Sequence, residues 1–226
     1  MILRESVLRY LFSRWGFLLP PELPSDREMI VAFEQLWHSL GAGEVIHYDL
    51  PYEKTQFTRW LVAEKGVLLH GSNHGRIEEL TPRKQTNFSG KQVEAVFASS
   101  DGLWPVYFAV LDYQNPALRS TRNGCFSIGD KRYYLFCVKQ ETSQNPLWTT
   151  GWVYILPPDG FVSQDPKGMW QCEWICPNPV TPLARLAVSY VDFPFRQHVV
   201  GFRRGESMLK TWNQYGRRTM SKKAIS

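Results

Sequence analysis

The sequence predicts an α+β fold in which helices precede a series of short strands. Apolar residues recur at helical spacing through the first 66 residues, whereas short runs rich in β-branched and aromatic residues begin at Val67. Clusters of Gly, Pro, Asn and Asp separate those runs. Helices first and strands afterwards are typical of α+β proteins, because a parallel α/β sheet would alternate the two.

Three helices are predicted before residue 67. The first covers residues 2–14, and a stiff connector containing three prolines follows it. Residues 25–28 (Ser-Asp-Arg-Glu) form a capping box with Ser25 as the N-cap of the second helix, which ends near Gly41. The third helix covers residues 52–65.

Six strands are predicted after that point, and no linker separates two domains. Residues 101–112 fit either a helix or a strand. The basic tail from Arg203 is interpreted as a solvated helix with a frayed end, or as an arm that binds nucleic acid. The predicted strands cover residues 67–70, 93–99, 133–138, 152–156, 171–176 and 184–188.

Composition and charge indicate a soluble globular protein. The formal charge of +5 fits an anionic partner, and it fits a mildly basic cytosolic protein equally well. Four cysteines lack zinc spacing and are expected to be free thiols. No stretch of eighteen apolar residues exists, and charged side chains interrupt the N-terminal apolar region. We therefore expect a cytoplasmic protein without a membrane span.

Two side chains are candidates for chemistry. His70 follows an apolar run and precedes Gly71, so it is either a structural histidine or a ligand contact. Glu173 lies in a β-prone run between Cys172 and Trp174, where an acid must be hydrogen-bonded, paired or functional. The structural alternative for Glu173 is an ion pair with an arginine such as Arg185.

Several common sites are excluded by the sequence. Glycines around His70 and His74 argue against the helix that a histidine metal pair needs, so no metal site is predicted. No Gly-x-Ser-x-Gly elbow supports a serine hydrolase. Gly41 and Gly43 follow a helix rather than a strand, which excludes a phosphate-binding glycine loop.

The order of three segments resembles the motif layout of the ADP-ribosyltransferase superfamily. Residues 69–72 read Leu-His-Gly-Ser, residues 96–99 read Val-Phe-Ala-Ser, and residues 173–175 read Glu-Trp-Ile. The resemblance covers residues 67–195. It implies two packed, mainly antiparallel sheets in a catalytic core at 67–202. The N-terminal helical segment, 1–66, would pack on this core, and a basic tail would occupy 203–226.

The same resemblance implies an enzyme that takes NAD as its substrate and transfers ADP-ribose to a macromolecule, as bacterial toxins and effectors do. Glu173 would stabilise the oxocarbenium-like transition state, and His70 would bind the adenosine-side ribose. Arg76 or Arg83 would meet the pyrophosphate. The implied catalytic residues are Glu173 and His70, and the implied NAD contacts are His70, Gly71, Ser72, Phe97, Ser99 and Tyr107.

Departures from the family pattern keep other functions open. Val96 or Phe97 stands where many relatives carry a stacking tyrosine, and Trp104 stands where a serine often binds the nicotinamide amide. RNA 2′-phosphotransferase-like chemistry, a non-catalytic module that binds a nucleotide or nucleic acid, and a partner-binding protein of a mobile element are the alternatives. The acceptor is either protein or nucleic acid, and a toxin would also have a neutralising antitoxin or partner protein.

Overall fold

The computed structural model describes residues 2–24, 26–115, 118, 120–139 and 147–222. Contacts divide the chain into two compact units. The terminal unit contains Met1–Pro21, Asp112–Trp148 and Pro194–Ser226, and the eight-stranded unit contains Glu22–Leu111 and Thr149–Phe193. The predicted division at residues 66 and 202 stays a prediction.

The described residues form five α-helices and two mixed sheets, which confirms the α+β class. The helices are α1 (Ile2–Arg14), α2 (Arg27–His38), α3 (Lys54–Lys65), α4 (Trp104–Val110) and α5 (Met208–Lys222). The strands are β1 (Glu44–Ile46), β2 (Leu68–Ser72), β3 (Arg83–Thr86), β4 (Gln92–Ser99), β5 (Thr121–Ile128), β6 (Lys131–Lys139), β7 (Gly151–Leu156), β8 (Val162–Ser163), β9 (Glu173–Cys176), β10 (Ala184–Val188) and β11 (Val200–Phe202).

The larger sheet is mainly antiparallel, whereas the smaller contains one antiparallel and one parallel pair. The larger has the order β1-β10-β7-β2-β4-β9-β8, and β3 pairs with β4 outside this path. Its one parallel pair among the described strands is β1 with β10. The smaller has the order β11-β6-β5, with β11 parallel to β6. The finer fold class implied by the family resemblance stays a prediction.

The predicted helices are confirmed, with one correction at a cap. Ser25 lies outside the described residues, and the N-cap of α2 is Asp26, whose side chain accepts a 2.9 Å hydrogen bond from the amide of Glu28. The third helix ends where predicted, because Gly66 adopts φ +64°, a conformation that favours glycine. Residues 101–112, left open between helix and strand, contain α4.

All six predicted strands are present, and five further strands were missed. Three of these, β1, β8 and β11, have only two or three residues, too few for a visible alternation. β3 is exposed at every position. β5 contains an Asn-Gly pair, which is typical of a turn, yet it pairs along its whole length with β6.

The basic tail is not simply a solvated helix. In the terminal unit, α5 buries Thr211, Tyr215 and Thr219 along one side. Gly216 donates a backbone hydrogen bond of 2.8 Å to Trp15, and a Cβ on Gly16 would come within 2.4 Å of the Gly216 Cα. The segment after α1 therefore contacts α5 backbone to backbone, so this helix is a packed element of its unit.

Helix α4 lies directly against the eight-stranded sheet. A Cβ on Gly71 in β2 would stand 1.9 Å from the carbonyl oxygen of Pro105, and a Cβ on Gly151 in β7 would stand 1.8 Å from that of Ala109. Both positions need glycine because the helix backbone occupies the space of a side chain. This contact sets the height of α4 above β2, next to the predicted motif residues.

Candidate functional site

The three predicted motif segments lie on neighbouring strands of one sheet. β2 carries His-Gly-Ser, β4 carries Val-Phe-Ala-Ser, and β9 carries Glu-Trp-Ile, in the order β2-β4-β9. Leu69 is paired with Ser99, and Ser99 is paired with Glu173. This row of three residues spans two strand spacings, about 10 Å. The fold thus brings together segments that are about thirty to one hundred positions apart in the chain.

The sheet opens between β2 and β4. Leu69–Ser99 is the one pair between these strands in the described part of the chain, whereas β2 pairs with β7 at all five of its residues. Beyond Leu69, the backbone of residues 70–72 therefore faces an opening rather than a paired strand. N–H and C=O groups of alternate residues in a strand point to the same side, so at least one of these residues directs its polar groups into the opening.

His70 reaches across that opening. Its Nδ1 lies 2.7 Å from the carbonyl oxygen of Phe97. A carbonyl only accepts, so Nδ1 carries the proton and donates this hydrogen bond, which leaves Nε2 as the acceptor of a neutral ring. Burial lowers the pKa of His70. The hydrogen bond to Phe97 raises this pKa, and the positive charge of Arg83 lowers it. The ring is thus held neutral, with one nitrogen able to accept a ligand hydroxyl.

Glu173 is half-buried, and a main-chain amide binds it. Its Oε1 accepts a 3.0 Å hydrogen bond from the amide of Phe88. Burial raises the pKa of the carboxyl above its ordinary value, and the Phe88 amide opposes that shift. The ion pair with Arg185 that the sequence left open is not formed by the described residues.

The amide that binds Glu173 comes from the tip of the β3–β4 hairpin, residues 87–91. Residues 92–95 of β4 pair with β3 and residues 96–99 pair with β9. A straight strand would put Gln92 about 23 Å from Ser99, too far for the tip to reach Glu173. β4 therefore bends between its two ladders and returns the tip to the carboxylate.

Two further contacts hold the hairpin tip. The ring of Phe88 stacks on Trp170, with centroids 5.8 Å apart and planes inclined by 26°. The side-chain amide of Asn87 donates to Gln164 at 3.4 Å. None of these residues was predicted to belong to the site. Residues 87–91 (Asn-Phe-Ser-Gly-Lys) are typical of a turn, but nothing local shows that a hairpin tip returns to an acid 85 positions away.

The remaining predicted contacts have structural partners. Gly71 is covered on one side by α4, and Ser72 accepts a 3.1 Å hydrogen bond from the amide of His74. Ser99 is buried and accepts from the amide of Asp101 at 3.1 Å. Tyr107 is wholly buried in α4, where its ring packs on Phe193. A ring without exposed surface offers a ligand no face, so we leave Tyr107 out of the proposed site.

Side-chain alternation separates the two principal candidates. Directly paired residues share a face of a sheet, so Phe97, Ser99 and Glu173 lie on one face. His70 is paired with Tyr154 on the other face. The backbones of His70 and Glu173 are close, but their side chains do not meet directly. A ligand that touches both must enter the opening between β2 and β4.

No family model, curated protein or solved structure matches this chain. Within the described ranges, no group of three His, Cys, Asp or Glu side chains is placed to hold a metal ion. None of the described helices combines the length and the apolar character needed to cross a bilayer.

Proposed function

We propose that the eight-stranded unit is an ADP-ribosyltransferase-like core and that the protein transfers ADP-ribose from NAD to a macromolecule. The observation that supports this proposal is the order β2-β4-β9, with Leu69, Ser99 and Glu173 in one row. The resemblance requires its three motifs to be adjacent in space, and many other folds could have separated them.

The proposed reaction exchanges one bond at the ribose for another. The bond between the nicotinamide nitrogen and ribose C1 breaks, and nicotinamide leaves with the bonding electrons. C1 then forms a bond with a nucleophilic atom of the acceptor, and the proton of that atom is released to solvent. The transition state carries positive charge on the ribose ring. An ionised Glu173 would stabilise that charge and bind the ribose hydroxyl.

His70 and the opening supply the binding part of the proposal. Nε2 of the neutral imidazole can accept a hydrogen bond from a hydroxyl of the adenosine-side ribose. Polar backbone groups of residues 70–72 that face the opening can pair with the nicotinamide carboxamide. One hydrogen bond already engages Glu173 Oε1, so the ribose hydroxyl would bind the other oxygen or replace the Phe88 amide.

The test is release of nicotinamide from NAD by the purified protein, with water as the acceptor, and then labelling of protein, RNA and DNA by labelled NAD. Glu173→Gln keeps the shape and still accepts from Phe88, yet it should lower release at least a hundredfold. Glu64→Gln, an exposed acid on α3, is the matched control and should release nicotinamide at the wild-type rate. Full activity of Glu173→Gln would overturn the assigned role.

A binding measurement separates the steps. His70→Ala should weaken NAD binding more than it slows turnover of bound NAD, because it removes a contact to the adenosine side. Binding of NAD without release by the wild type would indicate that the chemistry needs a specific acceptor. A wild-type protein that neither binds NAD nor releases nicotinamide would overturn the proposal.

A further inference from the structure

The guanidinium of Arg185 forms no hydrogen bond or ion pair in the described part of the chain. Its side chain is half-buried in β10, and its Nε is fully buried with no hydrogen-bond partner. Its guanidinium lies over the indole of Trp152, 5.8 Å from the ring centroid. A buried donor that lacks an acceptor is costly, and a guanidinium presents its donors in a rigid fork that matches two oxygens of a carboxylate or phosphate.

Arg185 lies in the same cross-strand row as His70. Arg185 is paired with Tyr154 in β7, and Tyr154 is paired with His70 in β2. Residues in such a row share one face, and two strand spacings put the backbones of Arg185 and His70 about 10 Å apart. The guanidinium lies over Trp152, next to Tyr154 on this face of β7. A ligand bound at His70 has to extend past the Tyr154 side chain to reach Arg185.

The loop that follows β2 completes this face. The hydroxyl of Tyr154 donates to the carbonyl of His74 at 2.7 Å and accepts from the amide of Ile77 at 3.2 Å. These two bonds use the hydroxyl and tie the loop to the sheet, so Tyr154 is a support rather than a competitor for Arg185. A Cβ on Gly75 would stand 2.3 Å from the indole nitrogen of Trp152, so the loop backbone lies against the ring that Arg185 covers.

Charges on this loop do not neutralise Arg185. Glu78 and Glu79 are exposed, and neither forms an ion pair with Arg185. Arg185 is therefore a cation that strand pairing places on the His70 face, which suits an anionic ligand with a sugar hydroxyl next to its anionic group.

We propose that Arg185 binds a phosphate group of the nucleotide whose ribose is bound by His70. Nε and one terminal nitrogen of a guanidinium together match two oxygens of a phosphate. The inference rests on the proposed function for its natural ligand, NAD, and it makes the same claim for any nucleoside diphosphate. It assigns the phosphate contact to Arg185, whereas the family resemblance implied Arg76 or Arg83.

The experiment compares the affinities of ADP and adenosine for the full-length protein by calorimetry. Adenosine lacks phosphate, so the ratio of the two affinities isolates the phosphate contact. Arg185→Gln should weaken ADP binding by about 10- to 100-fold, as expected for charge-assisted hydrogen bonds, and should leave adenosine binding unchanged. Arg27→Gln removes the same charge from an exposed position on α2 and should bind ADP like the wild type.

Further outcomes decide between a ligand contact and a structural role. Arg185→Lys keeps the charge but loses the Nε donor, so it should recover only part of the ADP affinity, and full recovery would overturn the role of Nε. Equal ADP binding by Arg185→Gln and the wild type would overturn the proposal, as would no preference of the wild type for ADP over adenosine. Equal loss of both ligands with a lower melting temperature would overturn it in favour of a structural arginine. ADP binding that depends on Arg185, by a protein that neither binds NAD nor releases nicotinamide from it, would support this inference and overturn the proposed reaction.

Discussion

The main-chain amide of Phe88 donates a 3.0 Å hydrogen bond to Oε1 of Glu173, across 85 positions of the sequence. Glu173 lies at the start of β9, and Phe88 is at the tip of the hairpin formed by β3 and β4. Because of this hydrogen bond, the position of the Glu173 carboxylate is coupled to the bend in β4. The same bond also opposes the effect of burial on the pKa of the acid.

Stability should respond to pH through Glu173. Burial raises the pKa of the carboxyl above 4.5, so the folded state takes up protons more readily than the unfolded state. The stability that the raised pKa of Glu173 contributes is fully present below pH 4.5, and it is lost as the pH rises through the pKa of the folded state. Glu173→Gln should therefore be more stable than the wild type at pH 7, and the difference should vanish below pH 4.5. Urea unfolding at several pH values tests this, and a pH-independent difference would contradict it.

The hairpin tip should loosen when its ring stack is removed. Trp170→Ala deletes the partner of Phe88, a contact of the kind that contributes about 0.5–1.5 kcal/mol. Amide hydrogen exchange at residues 87–91 should become roughly threefold to tenfold faster. The pKa of Glu173 should rise further, because the Phe88 amide binds it less. Tyr190→Ala, an exposed aromatic in the same unit, is the control. Unchanged exchange in Trp170→Ala would show that the stack does not hold the tip.

Gly71 should be intolerant of any side chain. A Cβ there would stand 1.9 Å from the carbonyl oxygen of Pro105, which belongs to the backbone of α4 rather than to a flexible side chain. Gly71→Ala should cost about 1–3 kcal/mol of unfolding free energy. Gly90→Ala is a useful comparison, because it has open space and only a positive φ of +81°, and should cost about 1 kcal/mol. Chemical denaturation measures both, and a neutral Gly71→Ala would mean that α4 can shift.

Glu206 should stabilise the terminal unit in a pH-dependent way. Arg218 binds the Glu206 carboxylate through two hydrogen bonds, of 2.9 and 2.7 Å, and Thr211 donates a third. The bond from Arg218 is the main reason that the pKa of Glu206 falls to about 2. The stability it contributes is full above the ordinary value of 4.5 and is lost as the pH falls through about 2.

Glu206→Gln should therefore destabilise the protein at pH 7 by about 3 kcal/mol, the order expected when one partner of a buried pair is removed. The loss should shrink below pH 4.5 and disappear near pH 2. A double-mutant cycle with Arg218→Gln measures the coupling of the two side chains. Additive effects of the two substitutions would show that the pair is not coupled.

Local chemistry in the sequence was enough to predict the regular elements that contain long apolar patterns. The 3.6-residue period of α2 and α3, the glycine that ends α3, and the β-prone runs of the six predicted strands are visible within windows of ten residues. Short strands such as β1 and β8 were missed because a pattern of two or three residues has no period. Ser25 was chosen as the N-cap over Asp26, since both residue types cap helices well and only the backbone path distinguishes them.

For the motif residues too, local sequence identified the candidates, and strand pairing determined which of them lie together. His70 and Glu173 were recognised from their neighbours in the chain, and their strands turned out to be two positions apart in the sheet. Tyr107 was predicted to be a ligand contact, but its ring is wholly buried and packs on Phe193, which is far from it in sequence. Arg185 was considered only as a partner for Glu173, because its place in a row with His70 depends on the pairing of β10, β7 and β2.

The sequence by itself determined the α+β class, the principal helices and strands, and the two residues on which the proposed chemistry depends. Only the tertiary structure decided that β2, β4 and β9 are neighbours, that β4 bends to bring Phe88 to Glu173, and that α5 packs into its unit. The physical reason is that helix periods, caps and turns are properties of adjacent residues. Strand pairing and burial depend on residues brought together from distant parts of the chain.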